Sequence, residues 1–401
     1  MRKHIAKSAI NTTLTSAFFI VMLIFSRGMI LGNIALRISF IAALFCILLS
    51  VYYRKPKRTF GIYISCISFY AYCFLQGLLL NSTSRYHSVI EFCLYWTINA
   101  TAAYFVFSNK ETDRKIGRLL IIILIAFVAS YIITFFLSVV ISIDKLKLMD
   151  LDYNYFYKSP VYFPFTIVYG IGEIGPIAIP RMQGFCRECG ITQTFYIWAF
   201  YKCDDYYRQT KFIKVALAAG VLFCFSTTGI AIFLTTILLN VIISNRKEIR
   251  KNWKLILIML ILLYLVLRYG GTFSLSNRLS VSYIDRTANI ISGMKELSRS
   301  PLFGVGFMNN PLVKNDLSDI CLLASIGKIG IIGFSLFILV YIICLVNHKN
   351  RRLFLFSNAG FFITALLAQP LYYTPLIYVF LFMNYDGANN KQLLHFGEVR
   401  K

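Results

Sequence analysis

SNRLSVSYIDRTANIISGMKELSRSPLFGVGF, residues 276–307, opens a polar segment that runs on to Asp319 between two long apolar runs. Ser282 and Asp285 have the spacing of a capping box, in which a hydroxyl and an acid satisfy the free amides of a helix start. Ile290, Ile291, Met294 and Leu297 then recur on one helical face. Pro301, which cannot continue a helix, stops it, and Gly304 and Gly306 follow in a short turn. Arg278, Arg286, Lys295 and Arg299 lie on the polar side. The pattern predicts an amphipathic helix along a membrane surface, offering guanidiniums to something anionic.

The chain on either side has the composition of a scaffold for such a segment. Of 401 residues, 58% are hydrophobic and 14% charged, with a mean hydropathy of +0.67. Soluble domains are about a quarter charged, so the expectation is an all-α, polytopic membrane protein with no separate soluble domain. The net charge of +24 is explained by basic short loops on one side of a membrane, and no nucleic-acid partner is expected. The first apolar run lacks a small-residue cleavage site and leads directly into further spans, which argues against a cleaved leader. Most of the ten cysteines sit within apolar runs, where they read as small core residues rather than a disulfide framework.

Apolar runs fall at 9–25, 34–53, 60–80, 89–107, 119–143, 191–201, 212–225, 229–244, 255–267, 320–346, 353–368 and 371–385, giving twelve candidate spans. Alternating from an inside N-terminus with Arg2, Lys3 and Lys7 collects the basic loops 54–58, 110–118, 202–214, 245–254 and 348–352 on the inner face. Both termini are then inside, and two large loops face out, at 144–188 and 269–319. Two crossings are weak. Only thirteen residues separate Glu188 from Lys202, about 20 Å of helix, so either the membrane thins there or Arg187 and Glu188 dip into a protein-lined cavity. Residues 212–244 read as a tight hairpin turning at Ser226–Gly229, or as one tilted helix.

Several constellations have both a chemical and a structural reading. Arg181 suits a phosphate clamp and Glu188 a proton acceptor; equally, they suit an interfacial arginine and a helix-start acid. Cys186 and Cys189 form a CxxC without a second pair or nearby His, and they read first as packing residues. Asp150 and Asp152 share the DxD spacing of metal-dependent glycosyltransferases, a cheap pattern in a polar loop. The rings of Tyr153, Tyr155, Phe156, Tyr157, Tyr162, Phe163 and Phe165 could stack on sugars, but an interfacial belt explains them as well. Asp204 and Asp205 read as a solvated inner loop, and Lys328 as a side chain reaching out of its span. No metal set and no cofactor motif stands out.

Three stretches together resemble the O-antigen polymerase (Wzy-type) family, within the wider polymerase and ligase group. RMQGFCRECG, 181–190, is similar to the family's first-loop pattern of Arg, Gly, an aromatic and an acid before the next helix. Arg286, fifteen residues before Pro301 in PLFGVG, is similar to the second-loop pattern. Ser318-Asp319 followed by Gly330 and Gly333 looks like the start of the following span. The resemblance implies a bacterial inner-membrane glycosyltransferase that joins undecaprenyl-diphosphate-linked oligosaccharide repeats on the periplasmic side. It implies Arg181, Arg286, Glu188 and Asp319 as catalytic, with Arg278, Arg299, Gly184, Gly304 and Gly306 contacting substrate, and no metal. A chain-length regulator and a flippase would be its partners. Cys189 stands where relatives often carry Pro, and Asp319 where ligase-type relatives carry His, which favours polymerase over ligase. A ligase handing polymer to a lipid A core, and a lipid-linked sugar flippase, are the competing expectations.

Overall fold

A computed structural model describes residues 2–33, 35–51, 57–81, 85–154, 157–174, 177–244, 257–262, 264, 278–308, 321–374 and 380–383. Among these the helices are α1 (Arg2–Ile24), α2 (Leu36–Ser50), α3 (Lys57–Leu80), α4 (Tyr86–Val106), α5 (Lys110–Val140), α6 (Cys189–Tyr206), α7 (Lys211–Phe223), α8 (Thr227–Ser244), α9 (Arg278–Arg299), α10 (Ile326–Asn347) and α11 (Arg351–Leu367). Four contain stretches long and apolar enough to cross a membrane: Phe60–Leu80, Tyr86–Val106, Lys110–Val140 and Ile326–Asn347. Shorter apolar helices lie at Ile10–Ile24, Leu36–Ser50 and Thr227–Ile243. The result is a mostly helical membrane protein, with large apolar side chains such as Leu79, Phe136 and Val140 turned outward. A surface of that kind is favourable against lipid and costly against water.

α5 starts where the side chain of Asn109 accepts the Glu111 amide, with Glu111 and Asp113 in the first turn against the positive end of the helix dipole. Its 31 residues make it a ruler for its neighbours. The Tyr206 ring leaves no space for a Cβ at Gly117, Tyr196 donates its hydroxyl to Leu124 O (3.1 Å), and Tyr131 donates to Pro180 O (2.8 Å). α6 therefore runs antiparallel to α5 and begins near the level of Tyr131. Val140 lies nine residues farther on, about 14 Å along the axis.

α6 holds the short apolar run, and it is sheathed by protein. Every residue from Ile191 to Ala199 is buried. Its polar opening, Thr192-Gln193-Thr194, would be costly against lipid. Instead Thr192 donates to Gln183 O, Gln193 donates to Val221 O (2.9 Å) and Ser226 O (3.1 Å), and Thr194 donates to Ile191 O (2.6 Å). At the far end Lys202, 1% exposed, pairs with Asp205 at 3.7 Å, and Lys214 pairs with Asp204 at 2.6 Å. Asp204 and Asp205 thus belong to the last turn of α6, and only Asp204 is exposed; the expected solvated loop is not there.

The chain reverses between α7 and α8, as the hairpin reading expected, with the turn slightly earlier, at Cys224–Ser226. α7 climbs alongside α6, where Gly220 meets the Tyr196 ring. α8 descends, where Gly229 meets Gln193 and Phe233 meets Phe200 edge-on at 5.0 Å.

One expectation needs correcting. The fold is not all-α, because the first large loop contains a four-stranded antiparallel sheet in the order β1-β2-β3-β4: Lys147–Asn154, Tyr157–Tyr162, Thr166–Ile174 and Ile177–Met182. Aromatic and β-branched residues fill it, as pleated surfaces favour. In the ladders Asn154 pairs with Tyr157 and Ile174 with Ile177, so each outer hairpin turns over two residues. The sheet descends beside α5 rather than standing beyond it: Ser130 and Thr166 share a hydrogen bond (2.7 Å), and Thr134 donates to Phe163 O (2.7 Å).

In the second loop, α9 begins at Arg278, four residues before the expected Ser282 cap. Its faces are also assigned differently from a core-facing helix. Asn289, Gly293 and Glu296 are buried, whereas Ile291 and Met294 are exposed. Gly293 and Gly327 allow the close approach, since a Cβ on Gly293 would lie 2.1 Å from Ala324 O. The apolar stripe is thus left exposed, a pattern compatible with an interfacial helix. Lys328 is not directed outward as expected; it is 8% exposed.

Candidate functional site

Four segments meet around Arg181 and Glu188: the β3–β4 hairpin, the start of α6, the α7–α8 turn and the end of α11. Arg181, on β4, lies with its guanidinium 5.5 Å from the Tyr169 ring centroid of β3. Its Nη2 donates to Phe225 O (3.2 Å) in the turn and to Cys189 Sγ (3.2 Å) at the start of α6. Its Nε has no hydrogen-bond partner among the described residues. Glu188 is the N-cap residue of α6 in extended conformation, its side chain making no cap bond. One carboxylate oxygen accepts from Gln369 Nε2, just beyond α11, and the other lies 3.5 Å from Arg187 Nη2. Gly190 leaves room between them: a Cβ there would touch Gln369 (3.7 Å) and Ser226 (3.9 Å). Glu188 and Arg187 are each 28% exposed, so the cluster is a partly buried recess.

The RMQGFCREC turn is held rigidly. Gly184 has φ +65, and a Cβ there would come 2.9 Å from the Thr192 side chain, so the position demands glycine on two counts. Gln183 is fully buried; it donates to Cys186 O (3.2 Å) and Arg187 O (2.7 Å) and accepts from Ser159 (2.7 Å). The segment after α1 locks the outer side, with Ile30 N donating to Phe185 O and Arg187 N to Gly28 O.

Cys186 and Cys189 are free and buried. Burial pushes the Cys186 thiol well above the usual range, which suppresses the thiolate that alkylation requires. Maleimide should therefore label neither cysteine in the native membrane and both after denaturation, read by mass spectrometry. Prompt native labelling of Cys186 would show the turn to be open.

The second-loop residues serve a different purpose locally. Gly304 (φ +74) and Gly306 (φ 120) let the PLFGVG turn lie against a break in α10 at Gly330 (φ 67, ψ 178). Val305 N donates to Gly327 O, Gly306 N to Lys328 O, and Ile331 N to Pro301 O. Gly304 N donates to Ser300 O. These glycine amides are therefore committed within the protein. Gln76 of α3 clamps the same region from below. It donates to Phe303 O and Lys328 O and accepts from Phe307 N (2.9 Å), while Tyr72 donates to Ile329 O (2.7 Å).

Arg299 is exposed at the end of α9. Arg278 and Arg286 lie on α9, their side chains outside the described residues. Asp319 also falls outside the described residues. The two motifs occupy the same end of the helix array. Leu322 N and Leu323 N, next to the contact of α9 with α10, donate to Ala365 O and Leu366 O of α11, four and three residues before Gln369. Asp150 of the DxD pairs with Lys147 at 2.9 Å on β1, away from this recess.

Sequence reading missed Tyr169, the Phe225 carbonyl and Gln369. Of these only Gln369, a polar residue next to Pro370 at a helix end, carried a local signal. Chemically, the recess combines a fork-shaped cation able to match phosphate oxygens with a carboxylate able to accept a proton. Among known proteins, no family model, no curated protein and no solved structure matches the chain.

Proposed function

We propose that this protein is a polysaccharide repeat-unit polymerase, joining undecaprenyl-diphosphate-linked oligosaccharides at the outer face of a bacterial inner membrane. The observation that carries the reading is the recess in which Arg181 and Glu188 meet, together with the resemblance of the RMQGFCRECG and PLFGVG stretches to the O-antigen polymerase family. In this reading the chain crosses twelve times with both termini inside, and the recess and α9 face the periplasm.

The departing group would be a lipid diphosphate, on which negative charge grows as the glycosidic bond breaks. Arg181 from the first loop and Arg286 from the second match that charge at a partly enclosed site, where oriented donors act more strongly than in bulk water. Arg278 and Arg299 capture the anionic head group first. Glu188, oriented by Gln369, accepts the proton of the attacking hydroxyl, with Asp319 as the other candidate. Cationic side chains supply the charge neutralisation that a divalent ion supplies in other glycosyltransferases.

The decisive measurement is extension of a defined lipid-linked repeat by the purified protein in liposomes, followed on gels. A ladder of products is expected, and Arg286→Ala should erase it at unchanged protein level. Transfer only to a lipid A core acceptor would make the protein a ligase. Movement of the glycolipid across the bilayer without bond formation would make it a flippase.

A further inference from the structure

We propose that the turn Phe163-Pro164-Phe165, joining β2 to β3, is a wedge seated among the acyl chains of the bilayer rather than a solvent-facing loop. Three observations place it there.

The first is depth. Arg118 is the last charged residue of the basic start of α5, and twenty residues of helix, about 30 Å, carry the axis from there to Ser138. The turn is fastened to Ser130 and Thr134, about 12 Å and 6 Å inside that limit. The Phe165 ring reaches deeper still and packs edge-on against Phe127 at 5.8 Å.

The second is the state of the backbone. Non-helical chain within a hydrocarbon layer is tolerated only if its polar groups are paired by the protein. Phe163 N donates to Leu146 O (2.8 Å), and Phe165 N donates to Ser130 Oγ (3.2 Å). Pro164 has no N–H to satisfy. Phe163 O accepts from Thr134 Oγ1 (2.7 Å). Ser130 and Thr134 are themselves buried on the apolar stretch of α5; Ser130 Oγ accepts from Phe165 N, and Thr134 Oγ1 lies within bonding distance of Phe163 O (2.7 Å), Thr166 Oγ1 (2.7 Å) and Ser130 O (3.0 Å).

The third is the surface. Phe163 is 49% exposed and Phe165 44% exposed. They adjoin the outward face of α5, where Ile132, Ile133 and Phe136 are exposed as well. An apolar band fit for lipid thus continues onto the turn, bounded on the β1 side by Lys147, which pairs with Asp150 at 2.9 Å.

The inference does not depend on the enzymatic reading. It does bear on the recess, because Gln183 N donates to Ile167 O just past the wedge, and Arg181 sits two residues from Gln183. A wedge fixed among acyl chains sets the depth of that guanidinium.

The test is tryptophan fluorescence of full-length Phe163→Trp, reconstituted in phosphatidylcholine nanodiscs, after subtraction of the parental emission. Two of the three native tryptophans, Trp96 and Trp198, are fully buried. Phe136→Trp on α5 serves as the lipid-facing reference. The added emission is expected to be lost with lipids brominated on the acyl chains, as for the reference, and to resist acrylamide in the aqueous phase. Quenching by acrylamide but not by brominated lipid would overturn the proposal in favour of a solvated loop. Resistance to both would overturn it in favour of a protein cover, such as a second copy of the chain. Phe165→Trp repeats the measurement should the first variant fail to elute as the parental protein does.

Discussion

Arg181→Ala is expected to stop chain extension while the protein stays folded and at its normal level in the membrane. The rate should fall by roughly 10²–10³, as for removal of one oriented donor from a developing anion. The fold should survive because the lost bonds, from Nη2 to Phe225 O and Cys189 Sγ, tie down a turn that Gln193 also holds through Ser226 O. Arg181→Lys separates charge from geometry. A lysine keeps the cation but not the planar fork, so it should recover only part of the rate if two phosphate oxygens are gripped at once. The measurement is the initial rate of product ladder formation from a lipid-linked repeat, with thermal unfolding in detergent as the control for folding. Normal ladders from Arg181→Ala would remove the recess from the chemistry altogether.

The second large effect concerns stability. Gln76, 4% exposed, holds three backbone groups: Phe303 O, Lys328 O and Phe307 N. They lie where the break at Gly330 has taken carbonyls out of the helical ladder. Tyr72 still reaches Phe303 O at 3.2 Å, but nothing described replaces Gln76 at Phe307 N. Gln76→Leu keeps most of the volume and removes every bond. Lys328 O keeps the Gly306 amide at 3.1 Å, so Phe307 N is the group left unpaired, and a buried polar group in that state costs about 1–3 kcal/mol, which is the loss expected. The exposed neighbour Leu79, exchanged for Ala, should change little. Thermal melts that leave Gln76→Leu indistinguishable from the parental protein would mean that the PLFGVG turn is held by other means.

The long apolar runs were legible because length and hydropathy are one-dimensional properties. The apolar part of α5 and the stop of α9 before Pro301 could be read directly, and so could the reversal near Ser226; the first turns of α5, from Lys110, fell in the segment expected as a basic loop. The sheet was missed although its signals were present. Val161, Thr166, Ile167 and Val168 are strand formers, and Gly175-Pro176 marks a turn, but the abundant rings were equally good as an interfacial belt. Choosing between those readings needs the pairing of β1 with β2 and β3 with β4, which is long-range information. On α9 the apolar stripe was legible and the packed face was not, because Asn289, Gly293 and Glu296 carry no apolar period. Periodicity shows that Ile291 and Met294 share a side, but not whether that side meets protein or lipid. At the recess, Arg181 and Glu188 were legible as residue types before a helix. Gln369 and the Phe225 carbonyl join them only through folding, across more than a hundred residues in the first case.

The enclosure of α6 has a consequence for how the protein is made. A segment that opens Thr-Gln-Thr and closes with Lys202, Asp204 and Asp205 is a poor substrate for release into lipid by itself. α5 is synthesised before it, but α11, which covers much of its surface, arrives long afterward. During synthesis α6 must therefore wait beside α5, α7 and the insertion machinery until its last neighbour is inserted. Truncation after α8 should leave a chain that membrane quality-control proteases destroy quickly, even though everything needed to build the recess except Gln369 has already been translated.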